Sequence, residues 1–391
     1  MPERRVTEHS RVPEPFVVAV PDDQLADLRA RLRATRWPDA LPGSEWDLGT
    51  DLTYLQELCA SWADDFDWRR AEARLNAWPQ FRTVVDGAQL HFLHVPSPHP
   101  DAVPLLLTHG WPGSVVELLG LIGPLTDPPA HGGDATDAFS VVVPSLPGYG
   151  WSGPTRERGW DVRRVARALA TLMSDLGHER YGAQGGDWGG IATAHLGVLD
   201  AAHVLGIHLN MANARRPPGD DDASLTVEEQ RDLTEMRHFR ERETGYQAIQ
   251  GTKPQTLAYA LNDSPAGLAA WVVEKFRTWS DCGGDVESVI SREDLLTNLT
   301  VYWVTQTAGS SARLYYESLG ADRPVMPTER VDVPTAVARF PREIYRPPRR
   351  WVEAAFDLRR WTVMPRGGHF AALEQPALLV DDVRAFFRDL R

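Results

Sequence analysis

Gly185-Gly186-Asp187-Trp188-Gly189-Gly190 lies between a run able to form a short strand, Arg180-Tyr181-Gly182-Ala183-Gln184, and a small-residue helix, Ile191-Ala192-Thr193-Ala194-His195-Leu196-Gly197. Strand, sharp turn and helix in that order form a G-x-nucleophile-x-G elbow, with aspartate in the position more often held by serine. The glycines have a steric purpose: the elbow residue occupies strained backbone, and only small neighbours let strand and helix approach closely enough to expose it. On this reading Asp187 is a carboxylate nucleophile and its first product is an ester. A glycine-rich turn followed by an aspartate N-cap would use the same six residues. The rest of the chain has to decide between the two.

The chain has 391 residues, 42% of them hydrophobic and 14 of them tryptophan, enough for a large α/β domain with an insertion or for two domains. A net charge of −13 excludes nucleic acid as a partner, because a phosphate backbone requires a basic footprint. Two cysteines, Cys59 and Cys282, are too few for a disulfide framework or a cysteine zinc site and suit a reducing compartment. The start, Met1-Pro2-Glu3-Arg4-Arg5, has no apolar signal region, and no window approaches the roughly 18 apolar residues of a membrane span. A soluble cytoplasmic protein without membrane contact is the expectation; a homodimer is compatible with it.

Residues from about 14 to 80 read as mostly helical: a helix opened by Asp22-Asp23 with Leu25, Leu28 and Leu32 on one face, a second from Leu52 to Trp62, and a third from Trp68 to Ala77. Phe81–Val85, an Asp86-Gly87 turn and Leu90–Val95 read as a hairpin. His91 and His94 on its second strand point to opposite faces and make a poor metal pair. Past residue 100, buried strands alternate with helices, the pattern of a parallel sheet: Pro104–Thr108, Phe139–Val143 and His203–Leu209. From about Met211 to Arg330 the strand rhythm stops, and helical stretches near Val227–Glu243, Pro254–Leu261 and Leu268–Trp279 suggest a lid over the sheet. Strands resume at Thr335–Phe340 and Trp361–Met364, before a closing helix from Ala377 to Leu390. The expected organisation is an N-terminal helical extension (1–95), a first core segment (96–210), a helical lid (211–330) and a second core segment (331–391).

Three groups follow strands in a fixed order: Asp187, then Glu343 in Phe340-Pro341-Arg342-Glu343, then His369 in Arg366-Gly367-Gly368-His369-Phe370. Nucleophile, acid, histidine is the chain order of α/β-hydrolase triads. Glu353 and Asp357 are rival acids, neither placed directly after the strand. With these motifs, Thr35-Arg36-Trp37-Pro38, His109-Gly110-Trp111-Pro112-Gly113-Ser114 and Ala260-Leu261-Asn262-Asp263-Ser264-Pro265, almost the whole chain resembles the microsomal-type epoxide hydrolases. The vertebrate microsomal members carry a hydrophobic N-terminal anchor that this sequence lacks, so it looks like the soluble bacterial members.

The resemblance implies an α/β-hydrolase fold with no cofactor and no metal, and a reaction that takes an epoxide and water to a diol. It makes Tyr246 and Tyr315 the lid proton donors, with Tyr316 as the rival of Tyr315, since neighbours on a helix are about 100° apart and one of them faces the site. It also implies a cis bond between Trp111 and Pro112, which helps turn the Trp111 N–H inward. The chemistry needs these types: SN2 opening requires an anionic nucleophile and a proton for the departing alkoxide. Ester hydrolysis then requires a base, His369, oriented by Glu343. The oxyanion, which forms on Asp187 itself, needs donors, here the backbone N–H groups of Trp111 and Trp188. Trp111, Trp188, Tyr149 and Trp151 either line an apolar pocket or belong to the core. The rival functions are haloalkane dehalogenation, which needs no proton donor for its leaving group, and non-catalytic ligand binding. The physiological epoxide stays open between detoxification and the tailoring of natural products such as enediyne polyketides in antibiotic biosynthesis.

Overall fold

The computed structural model describes residues 12–321 and 324–391; the Met1-Pro2-Glu3-Arg4-Arg5 start lies outside the described residues. The extension opens with a strand that the sequence pattern does not announce, β1 (Glu14–Phe16), followed by α1 (Asp22–Arg33), α2 (Leu52–Asp64) and α3 (Trp68–Asn76). Three residues carry no periodic signal, and Pro15 is tolerated because β1 is the sheet's edge. Leu25, Leu28 and Leu32 form the buried stripe of α1, and the Asp51 and Asp67 carboxylates cap α2 and α3.

The hairpin is β2 (Gln80–Val85) and β3 (Ala88–Val95). Its turn residues Asp86 and Gly87 both have positive φ, 50° and 76°, as a two-residue turn with the twist of the strands demands. His91 is buried and hydrogen-bonded at 2.9 Å to Ser145 and Gln80, so it is a satisfied core histidine.

The first core segment runs β4 (Val103–Thr108), α4 (Leu119–Thr126), β5 (Phe139–Pro144), α5 (Val162–Asp175), β6 (Tyr181–Gly185), α6 (Asp187–Leu199) and β7 (Val204–Leu209). Six lid helices follow: α7 (Val227–Arg242), α8 (Gly245–Thr252), α9 (Pro254–Asp263), α10 (Pro265–Trp279), α11 (Arg292–Thr305) and α12 (Ala308–Leu319). Last come β8 (Val331–Arg339), α13 (Arg349–Ala355), β9 (Phe356–Val363), α14 (Ala371–Glu374) and α15 (Pro376–Phe387). The strands form one sheet in the order β1-β2-β3-β5-β4-β6-β7-β8-β9. Pairing is antiparallel as far as β3–β5 and parallel from there to β9. Alternate residues of the central strands feed two apolar layers: Leu106, Val142 and Ala183 pack with α5 and α6, while Leu105, Leu107, Val141 and Val143 pack with α4 and α15.

Several elements differ from the sequence reading. Helix α6 starts at Asp187 itself, four residues before Ile191, and every residue from Trp188 to Gly197 is buried. Strand β9 starts at Phe356, before Trp361; its first half, Phe356-Asp357-Leu358-Arg359-Arg360, is a half-exposed sheet edge with no clean alternation. In the lid, α8, α11 and α12 have no legible pattern. Helix α11, for example, buries Thr297, Asn298 and Thr300 among its leucines, so no apolar stripe marks it.

The extension braces the lid. Arg31 pairs with Asp263 at 2.8 Å, the Trp62 indole N–H donates to Thr300 Oγ1 at 2.9 Å, and the Thr50 hydroxyl donates to the Ala270 carbonyl at 2.7 Å. Among the described residues no helix is long and apolar enough to cross a membrane.

Candidate active site

Parallel strands direct their carboxyl ends to one side, and the loops leaving β4, β6, β8 and β9 meet there. The elbow after β6 puts Asp187 at φ 49°, a left-handed conformation that costs a non-glycine residue of order 1 kcal/mol and persists only where its surroundings enforce it. The close approach of α6 to β4 is the enforcement. A Cβ on Gly189 would overlap the carbonyl of Thr108, and one on Gly110 would overlap the Asp187 side chain. The Thr108 hydroxyl, within 3.1 Å of the Gly189 carbonyl and 3.0 Å of that of Gln184, ties strand to helix at the turn.

The Asp187 carboxylate is held asymmetrically. Oδ1 accepts the Trp111 backbone N–H at 2.8 Å, whereas Oδ2 faces His369 Nε2 at 3.6 Å. Trp111 precedes Pro112 through a cis peptide. The loop behind it is fixed by lid side chains, with Asn298 donating to the Pro112 carbonyl at 2.9 Å and the Tyr302 hydroxyl to that of Gly113 at 2.8 Å. The Trp188 N–H lies in the first turn of α6, where the helix supplies no acceptor of its own.

On the other flank a single parallel bridge between Arg342 and Gly368, with Arg342 N–H donating to the Gly367 carbonyl at 3.1 Å, draws the loops after β8 and β9 together. His369 Nδ1 thereby meets Glu343 Oε1 at 2.8 Å, and the same oxygen accepts the Ile344 N–H at 2.7 Å. Histidine and glutamate are both buried. The rival acids fall elsewhere: Glu353 is in α13, paired with Arg349 at 2.7 Å, and Asp357 is in β9, paired with Arg359 at 2.8 Å. Burial acts to depress the His369 imidazole, but Glu343, together with Asp187, outweighs it and holds the pKa well above its ordinary value. The acidic groups on its two sides thus favour the protonated ring.

The lid supplies the opposite wall. Tyr246 on α8 stacks on Trp111 with centroids 5.1 Å apart, and Tyr315 on α12 meets Trp188 edge-on at 4.8 Å. The two phenol rings are 5.8 Å apart. Both are buried, while Tyr316 is 39% exposed, so of the adjacent pair Tyr315 is the one inside. Burial, then the Asp187 charge, raises the Tyr246 pKa; burial, then Tyr246 and Asp187, raises that of Tyr315. Both phenols are thus neutral donors at ordinary pH.

Of the two remaining aromatics, Trp151 packs on Phe16 and His91 by the extension and Tyr149 sits behind His109; both are core. Trp279, at the end of α10, is not singled out by the sequence, yet it touches Tyr246 (5.2 Å) and His369 (5.1 Å). A tryptophan closing a lid helix carries no motif that would mark it. Among the described residues no group of histidine, cysteine and acidic side chains is arranged to hold a metal ion. The assembled groups can deliver a carboxylate to an electrophilic carbon, protonate a leaving oxygen and hydrolyse the resulting ester.

Comparisons with known proteins point to the epoxide hydrolases. Residues 13–118 match the family described as "Epoxide hydrolase N terminus", and residues 103–246 the family described as "alpha/beta hydrolase fold". A protein of Stigmatella aurantiaca named as a candidate epoxide hydrolase is 49% identical over 96% of this chain and 85% of its own length. "Epoxide hydrolase 1" of Oryctolagus cuniculus is 39% identical over 95% of this chain and 88% of its own. The solved structure of Aspergillus niger epoxide hydrolase superposes with a TM-score of 0.88 at 32% identity, covering 98% of each chain.

Proposed function

The chain belongs to the epoxide hydrolases of the α/β-hydrolase fold, and we propose that it opens an apolar or aromatic epoxide to a vicinal diol through an ester on Asp187. The observation that carries this reading is the pair of buried phenols, Tyr246 and Tyr315, facing a carboxylate whose two oxygens are differently engaged. Oδ1 is committed to the Trp111 N–H, so Oδ2 attacks an oxirane carbon, the C–O bond breaks, and a phenol protonates the alkoxide as it leaves. A halide would need no such proton, which favours the epoxide over the haloalkane reading, and a binding protein would need neither the donors nor the triad.

Ester formation also removes the Asp187 charge. With one of the two anions beside it gone, His369 passes its proton to the tyrosinate left by ring opening, and the neutral imidazole takes a proton from the attacking water while Glu343 stabilises the imidazolium that results. The diol oxygen then leaves the tetrahedral intermediate with the proton of the newly added hydroxyl, which restores the Asp187 carboxylate. The oxyanion forms on Oδ1, where the N–H groups of Trp111 and Trp188 receive it; one such donor is worth about 10²-fold in rate. The helices of residues 211–330 act as the lid that brings in the phenols, and the surrounding rings, Trp111, Trp188 and Trp279, suit an apolar substrate. Cys59 and Cys282 are free and buried, in keeping with action in the reducing cytoplasm. A panel of racemic aryl, alkyl and polyketide-type epoxides, with chiral analysis of the diols, separates a broad detoxifying activity from a tailoring one.

The decisive test is His369→Gln. Ester formation is retained and hydrolysis is lost, so mass spectrometry finds one substrate mass added to the peptide containing Asp187. Purified protein that releases halide from chloroalkanes and leaves every epoxide of the panel intact overturns the reading.

A further inference from the structure

His369 is a loop residue, yet its position has to be set to a few tenths of an ångström, because a displacement near 1 Å costs a reaction on the order of 10²-fold. Among the described residues its ring has two polar partners, Glu343 at 2.8 Å and Asp187 at 3.6 Å. The backbone is held by a different set of groups. Four consecutive N–H groups, 367 to 370, each have a defined acceptor. Gly367 donates to Asp281 Oδ2 at 3.0 Å and His369 to the Trp279 carbonyl at 2.9 Å, both on the lid segment that ends α10. Gly368 donates to Glu374 Oε2 at 2.9 Å and Phe370 to Glu374 Oε1 at 3.0 Å. Glu374 Oε2 also accepts the Asp281 N–H at 2.8 Å. One buried carboxylate thus clamps the peptides on both sides of the histidine and ties them to the lid.

Resting on the function proposed above, we propose that Glu374 is a positioning residue for the hydrolytic half-reaction, setting His369 in register with the Asp187 ester by pinning the histidine loop to the lid at Asp281. A side chain that merely completed the short helix α14 would need only its Phe370 contact. Here the second oxygen reaches a residue 93 positions away. The alkylation half-reaction draws on other supports: Asp187 is held by the elbow and the Trp111 N–H, and the phenols ride on α8 and α12. Losing the clamp therefore slows one half-reaction and spares the other.

The experiment is rapid-quench single-turnover kinetics on Glu374→Gln, with the Asp187 ester measured by mass spectrometry. The amide keeps one acceptor oxygen and sets an NH2 against the Gly368 and Asp281 donors. Ester formation stays within about 3-fold of the parent, hydrolysis falls by about 10- to 10²-fold, and ester accumulates in the steady state. Glu374→Asp restores part of the hydrolysis rate. Should Glu374→Gln fail to fold, Asp281→Ala, which removes the Gly367 acceptor alone, gives a smaller split in the same direction. A purely structural role lowers both steps equally with the folded fraction, and a role in product release slows turnover with no ester accumulating; either result, or an unchanged hydrolysis rate, overturns the proposal. Parent enzyme that turns over epoxide while the variant shows no split removes only the positioning role. Parent enzyme that forms no ester removes the proposed function as well.

Discussion

The sheet-end loops and the lid hold their functional groups by different means. Asp187, Glu343 and His369 are fixed through backbone: a positive φ enforced by strand–helix contact, a Trp111 N–H on one carboxylate oxygen, an Ile344 N–H on Glu343, and bonded N–H groups on either side of His369. Tyr246 and Tyr315 are held by rings against Trp111, Trp188 and Trp279. Hydrogen bonds to backbone define a direction, whereas stacked rings permit sliding. The triad side is therefore held by directional bonds and the lid side by ring packing.

The sharpest way to break this contrast is to remove one group from each side. Asp187→Asn keeps the shape and the acceptor for the Trp111 N–H but abolishes the nucleophile, so kcat falls by at least about 10⁴-fold with the fold intact by circular dichroism. Tyr246→Phe and Tyr315→Phe leave the rings in place and delete one proton donor each. Each slows ester formation by about 10- to 10²-fold, and the double variant by more than either, as stopped-flow tryptophan quenching will read. Because burial raises both phenol pKa values above the ordinary one, ester formation keeps its rate through pH 9. An alkaline loss below that point would mean that the donors are more exposed than the packing implies. If one phenylalanine variant is as damaging as Asp187→Asn, the lid is as rigid as the loops and the contrast fails.

The same difference decides what can be read from sequence. Backbone constraints leave marks, because a tight turn needs glycine at set positions; Gly185–Gly190, His109–Ser114 and Arg366–Ala372 all stand out in the chain for that reason. Placement directly after a strand then favours Glu343 over Glu353 and Asp357. Tyr246 lies in a short helix whose other buried residue is Gln250, Tyr315 in one that buries Gly309, Ser310, Ser311 and Ser318 beside its apolar residues, and only family resemblance singles them out. Trp279 and Glu374 escape altogether. Each has a partner 90 or more residues away in the chain, Trp279 at His369 and Glu374 at Asp281, and such contacts have no local period. Strand β1 is hidden by its length and the start of β9 by its polar edge.

Glu117 sharpens the contrast by a smaller effect. It lies just beyond the Trp111-Pro112-Gly113-Ser114 turn, its carboxyl against Gly113. Burial pushes its pKa from an ordinary 4.5 up to about 8; His369 opposes the rise, while Asp187, Glu343 and Glu374 add to it. The unfolded chain ionises from about pH 4.5 and the folded one holds its proton to about 8. Between those values the native state binds more protons, so this group's contribution to stability is greatest at low pH and is lost as pH rises through the window. Glu117→Gln has no such slope. Its Tm relative to the parent should rise steadily from pH 5 to pH 8.5, by about 2 °C or more across the range, as scanning calorimetry on both proteins will measure. A flat difference would mean that the carboxyl is already solvated and that the loop behind Trp111 is as yielding as the ring contacts of the lid.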